Sequence, residues 1–132
     1  MNKSGRGFTL VELTVALSMI LLVSLTVMSI IGYQLQVQNA TIRTVKATNI
    51  AENAIECFRY SQKNGCDFAD VFGHTGYTLT AVSDEATAYC VIADGVTVTI
   101  RITENRIAVT AEGPKGGEIL SRVYETPEGD GI

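Results

Sequence analysis

The chain has 132 residues and a formal net charge of −4, which leaves room for one small domain and one additional segment. From Gln34 onward, eight basic residues stand against thirteen acidic ones, so this part carries a net charge of −5. Such a domain does not favour sequence-independent DNA binding, which depends on lysine and arginine neutralising phosphates. The single histidine, His74, lacks the partners of a catalytic or metal site. We therefore predict no enzyme activity, cofactor or metal, and no direct binding to nucleic acid.

The most informative segment lies near the N-terminus. Residues 8–33 form an apolar run in which Glu12 is the only charged residue, and Gly7 directly precedes the run. The run is long enough to cross the hydrocarbon core of a bilayer, about 30 Å thick. Because a charged side chain inside such a span is costly, Glu12 suggests a partner for its carboxylate. The basic residues Lys3 and Arg6 predict a cytoplasmic N-terminus with the rest of the chain outside.

The junction at Gly7 and Phe8, followed by Glu12 and a long apolar run, resembles the start of a type IV prepilin or a type II secretion pseudopilin. The resemblance implies that a prepilin peptidase cuts between Gly7 and Phe8 and that the new amino terminus of Phe8 is methylated. It implies a single-pass membrane protein that later joins other pilin or pseudopilin subunits in a cell-surface or periplasmic filament. An assembly platform and an ATPase would act indirectly. Glu12 would set the register of assembly by neutralising the Phe8 amine of a neighbouring subunit.

Other interpretations of the apolar run stay open at this stage. An uncleaved membrane anchor accounts for the run and for the basic residues, although it leaves Glu12 unexplained. A secretory signal peptide usually has an apolar core of 7–15 residues and a small-x-small cleavage site, which the residues around Tyr33 do not offer. The alternative function is a single-span, membrane-anchored binding module that does not polymerise. Among filament subunits, the sequence does not separate pilus, competence and secretion systems.

The remaining chain predicts an α+β fold of the pilin-like kind, in which a long N-terminal helix packs on a small antiparallel sheet. After the leader (residues 1–7), residues 8–33 form the membrane or filament-core half of the helix and residues 34–61 its amphipathic half. Apolar positions from Ala47 to Phe58 recur every three or four residues. We expect a loop over residues 62–76, a β-meander over residues 77–125 with strands at 77–82, 86–93, 96–103, 106–112 and 118–125, and a tail over residues 126–132.

Three cysteines, Cys57, Cys66 and Cys90, lie in the part that we place outside the cytoplasm. Because that side is more oxidising than the cytosol, one disulfide bond is possible and one thiol is left over. Of the three pairings, we favour Cys66–Cys90, which would close a loop of moderate length. An arrangement with all three thiols reduced is the alternative.

Overall fold

The computed structural model describes residue 7, residues 9–82 and residues 88–127. Two helices precede five strands: α1 (Leu10–Asn64), α2 (Phe68–Gly73), β1 (Thr80–Ala81), β2 (Ala88–Ala93), β3 (Val96–Thr103), β4 (Arg106–Glu112) and β5 (Glu118–Glu125). This order of helices followed by an antiparallel sheet confirms the α+β class. The chain forms two compact units, Met1–Asn39 and Ala40–Ile132, and α1 contributes residues to both.

The first unit is the apolar part of α1. Its described side chains are exposed, including Leu10 and Met28, whose exposed fractions are 80% and 73%. The hydroxyl groups of this segment donate to backbone carbonyls three or four residues earlier in the helix, which leaves them satisfied without water: Thr14, Ser18, Ser24, Thr26 and Ser29. By length and composition, α1 contains a segment that could cross a membrane. A surface of this kind needs lipid or other apolar helices to cover it.

The second unit contains a five-stranded meander in the order β1-β2-β3-β4-β5, with every neighbouring pair antiparallel. The β2–β3 connection consists of Asp94 and Gly95, with φ angles of 48° and 80°. Positive φ at both central residues is the requirement of a type I′ turn, whose twist matches that of the flanking strands. The turn predicted from the Asp-Gly pair is therefore present, and Lys46 of α1 forms an ion pair with Asp94.

The core of the second unit lies between α1 and one face of the sheet. The α1 residues that are buried recur at helical spacing: Ala47, Ile50, Ala51, Ala54 and Phe58. The sheet contributes alternate residues from its three central strands: Val91, Val96, Val98, Ile100, Ile107, Val109 and Ala111. Successive strand residues point to opposite faces, so the side chains that alternate with these buried residues form an outer face away from α1. This packing holds the two layers together through burial of apolar surface.

The segment predicted as a loop over residues 62–76 requires a correction. Helix α1 continues to Asn64, and α2 occupies Phe68–Gly73. The Phe68 and Phe72 side chains are buried on one side of α2, and the Phe68 ring lies 5.8 Å from the Tyr89 ring of β2. Phe72 also lies 6.3 Å from Tyr77, between ring centroids. Phe68 and Phe72, four residues apart, therefore extend the core. The glycine and polar residues around them had indicated irregular structure instead.

The first predicted strand is also shorter than expected. Of residues 77–82, only Thr80–Ala81 pair with β2. Tyr77 and Leu79 are half-buried and pack against the core, with Thr78 exposed between them, but they have no partner in the β1–β2 register. Strand β2 begins at Ala88, and the preceding residues 83–87 lie outside the described residues. The strands β3, β4 and β5 have the predicted bounds.

The predicted tail begins as an ordered segment. Both the backbone N–H and the hydroxyl of Thr126 donate to the backbone carbonyl of Asn105, at 2.8 and 2.9 Å. These two bonds fix the chain beside the β3–β4 turn. Residues 128–132 of the predicted tail lie outside the described residues.

Candidate functional site

The first turn of α1 holds the residues that the sequence singled out. Thr9 is the N-cap of the helix, because its side-chain oxygen accepts a hydrogen bond from the Glu12 N–H at 3.3 Å. Its carbonyl accepts the first intrahelical bond, from the Leu13 N–H at 3.2 Å. The helix therefore begins at Leu10, and Gly7 lies outside it as an exposed residue. Phe8, predicted as the first residue of the mature chain and its methylation site, lies outside the described residues.

The position of Glu12 in the first helical turn gives its side chain a second role that the sequence analysis missed. Glu12 occupies the third helical position, so Thr9 and Glu12 have the spacing of a capping box. An acidic residue in the first turn also interacts favourably with the positive end of the helix dipole. The Thr-x-x-Glu pattern in the sequence was the signal that could have revealed this local role.

The Glu12 carboxylate is exposed and available to a partner. None of the described residues forms an ion pair with it. The adjacent helical surface carries the exposed side chains of Val11 and Leu13 and the long apolar stretch beyond them. A carboxylate in such surroundings would be strongly stabilised by a nearby cation once lipid or other helices exclude water. The arrangement can therefore act as an acceptor for an amine or another cation.

The structure does not contain the disulfide that the sequence analysis favoured between Cys66 and Cys90. The structure records Cys57, Cys66 and Cys90 as free thiols. Cys90 pairs in register with Thr80 and Thr99, while its neighbour Val91 is buried, so Cys90 lies on the outer face of the sheet. Cys66 follows the end of α1, in the layer on the other side. Two cysteines on opposite sides of a sheet cannot form a bond without movement of the backbone.

Cys66 and Cys57 differ in exposure, and this predicts the order in which these two thiols are alkylated. Cys66 is exposed, whereas Cys57 is half-buried. Burial, with a smaller contribution from the Glu56 carboxylate, raises the pKa of the Cys57 thiol. Because the thiolate is the reactive form, a raised pKa lowers the reactive fraction at any given pH. We expect iodoacetamide at pH 8 to modify Cys66 well before Cys57, as followed by peptide mass spectrometry. The same treatment in denaturant is the control, and equal rates in the folded protein would contradict the structure.

His74 lies beside Cys66, Asp70 and Tyr60 around a cavity of about 480 Å³. Among the described residues, no group of three or more histidine, cysteine, aspartate or glutamate side chains is arranged to hold a metal ion. The His74 N–H of the backbone donates to the Val71 carbonyl at 3.3 Å and helps to end α2. The observed role of this residue is therefore local.

Comparisons of the chain with protein-family models, with curated proteins and with solved structures found no match.

Proposed function

We propose that the chain is a structural subunit of a type IV pilus, a competence pseudopilus or a type II secretion filament. The observation that carries the proposal is the lone Glu12 carboxylate, exposed in the first turn of a long helix whose segment from residue 10 to residue 33 carries no other charged residue. Gly7, just outside that helix, lies at the junction that resembles a prepilin cleavage site. A helix with this surface is suited to pass from lipid into a bundle of identical helices, since both environments cover apolar side chains.

Cleavage at the junction would supply a partner for Glu12, which forms no ion pair with any described residue. Removal of the residues before Phe8 leaves a positively charged amine on Phe8, close in sequence to the carboxylate. A neighbouring subunit displaced along the helix axis can bring its own Phe8 amine to this carboxylate. Opposite charges at about 4 Å attract by roughly 4 kcal/mol at an effective dielectric constant of 20, before the cost of desolvation. The net gain is smaller, so the pair would act chiefly by penalising misplaced subunits.

The second unit supports the same proposal. Its buried core residues all come from residues 47–111, within the compact unit Ala40–Ile132. The apolar surface of residues 10–39 is therefore not needed to complete that core and is available to lipid or to other subunits. A pilin-like architecture, in which a helix packs on an antiparallel meander, is what the resemblance implies for this domain.

Mass spectrometry of the protein purified from membranes tests the proposal. We expect a mature chain that has lost Met1–Gly7 and begins at Phe8, with a mass increment of one methyl group on that residue. Gly7→Val should abolish cleavage, because a protease must approach the backbone closely at this glycine. A Cβ atom at Gly7 meets nothing within 4 Å, so the substitution does not disturb the described structure.

Gly32→Val is the matched control for this experiment. Gly32 also has open space around a new Cβ atom, but it lies far along α1 from the junction. Processing of the Gly32→Val protein should equal that of the unmodified chain. If the protein keeps Met1–Gly7 in a strain with an active prepilin peptidase, the proposal is contradicted. That result would favour the alternative function, a membrane-anchored binding module that does not polymerise.

A further inference from the structure

The two ends of the second unit carry charged side chains without an ion-pair partner among the described residues. The ion pairs that the structure shows are Lys46–Asp94, Arg59–Glu56 and Arg106–Glu125. One end, here called the helix end, is where α1 stops beside the β3–β4 turn, and the Gln62 side chain donates to the Glu104 carbonyl there at 2.9 Å. The other, the loop end, consists of the β4–β5 loop at residues 113–117 and its flanking residues. The seven residues of β4 separate these ends by about 23 Å.

The loop end has acidic sides and a basic tip. Glu112 and Glu118 lie directly opposite each other in the β4–β5 register, and both are exposed. Like charges in this position destabilise a strand pair. The loop between them is closed by two backbone hydrogen bonds of 2.9 Å between Gly113 and its partners Gly116 and Gly117. Lys115 is exposed within this compact loop, so the loop presents one positive charge between two negative ones.

The helix end has a cleft whose charged lining residues are basic. The cleft has a volume of about 350 Å³ and is lined by Arg59, Gln62, Lys63, Asn105, Tyr124 and Thr126. Arg59 lies against the Tyr124 ring, 5.8 Å from its centroid, and also bonds to Glu56 at 3.3 Å. Lys63 has no ion-pair partner in the described part of the chain. Asn105 and Thr126 also line an adjoining cleft of about 640 Å³, which Glu104 borders.

We propose that the loop end of one copy docks into the helix end of the next copy. The contact places Glu112 and Glu118 near the Lys63 side of the cleft, and Lys115 near Glu104. The inference rests on the proposed function and adds to it by naming a second contact between subunits. Because the two surfaces are different, the contact is heterologous and can repeat without closing. All copies then have the same orientation, which is what a helical filament requires.

The contact is too weak to assemble subunits by itself. Exposed ion pairs are individually weak, and a single loop buries little surface. Its contribution depends on the apolar helices, which would hold the domains at a high local concentration. An electrostatic contact between exposed groups also weakens as salt shortens the range of the interaction.

Charge reversal in the full-length chain tests this contact. Lys63→Glu and Glu118→Lys should each lower the amount of filament recovered by shearing, and the loss should shrink as the salt concentration rises, because salt screens the charges on both sides of the contact. The double variant, which restores opposite charges across the contact, should recover most of the lost filament. Asp70→Lys is the matched control for Glu118→Lys: Asp70 is exposed on α2 and does not line either cleft of the helix end, and the substitution makes the same change in charge. Filament yields for the two single variants equal to that of the unmodified chain would overturn the inference.

Cross-linking reports the geometry directly. In a full-length chain whose native cysteines are serine, Asn105→Cys and Pro114→Cys place one thiol at the cleft and one in the loop. A short bis-maleimide should produce a ladder of dimers, trimers and larger species that needs both cysteines. If the protein forms filaments but gives no ladder, or only a dimer, the head-to-tail contact is refuted while the proposed function stands. If the chain forms no filaments, that result contradicts the proposed function, and the inference fails with it.

Discussion

Replacing Glu12 by valine is expected to give a protein that is cleaved and held in the membrane but enters filaments poorly. Cleavage depends on the Gly7–Phe8 junction, which Glu12 lies beyond, and insertion becomes easier without a charge in the apolar segment. Assembly is the step that brings the Phe8 amine of one subunit near the carboxylate of another. The measurement compares cleaved protein in membranes with protein in sheared filaments. We expect normal amounts in the first fraction and a large loss from the second.

Glu12→Gln separates the two roles of this residue. Valine removes both the charge and the side chain that belongs to the capping box with Thr9, a local effect worth about 0.3–1 kcal/mol at a helix N-terminus. Glutamine is also a capping-box residue but carries no charge. If the carboxylate pairs with an amine, Glu12→Gln should fail in assembly as Glu12→Val does. Normal filaments from Glu12→Gln would show that capping alone matters and would contradict the proposed pairing.

Replacing Phe58 by alanine is expected to have the largest effect on the stability of the second unit. Phe58 is 1% exposed and contributes one of the largest side chains of the core between α1 and the sheet. Truncating a buried phenylalanine costs about 3–5 kcal/mol, through lost apolar burial and the cavity left behind. That is a large share of the 5–15 kcal/mol that typically separates folded from unfolded domains. Urea unfolding of a fragment beginning at Gln34 measures the change as a lower midpoint.

Tyr60→Ala is the control for this measurement. Tyr60 is also an aromatic residue of α1, two positions further along, but its side chain is 57% exposed. Removing it should change the free energy of unfolding much less than removing Phe58. Equal losses for the two variants would mean that α1 does not pack on the sheet through the face that contains Phe58. A fragment without helix or strand signals in circular dichroism would contradict the assignment of the core to the second unit.

Local patterns in the sequence were sufficient to predict most secondary structure. The absence of proline before residue 114 and the helical spacing from Ala47 to Phe58 predicted one long helix, and α1 spans Leu10–Asn64. Alternation over residues 96–103 identified the buried face of β3, and Asp94-Gly95 identified its turn. These features depend on neighbours in the chain, whose side chains share a face through helix or strand geometry alone.

Contacts between distant residues decided the rest. Helix α2 is stabilised by the packing of Phe68 on Tyr89, 21 positions later, which no local pattern indicates. The strand register decides which face of the sheet carries Cys90. That face is the outer one, away from the side on which Cys66 follows α1. Thr126 is held by the Asn105 carbonyl, across the β3–β4 turn. The sequence by itself determined the long helix, the strands β3 to β5 and the apolar faces of α1 and β3, because these follow from local geometry. Only the tertiary structure determined which faces meet, because that depends on packing between residues far apart in the chain.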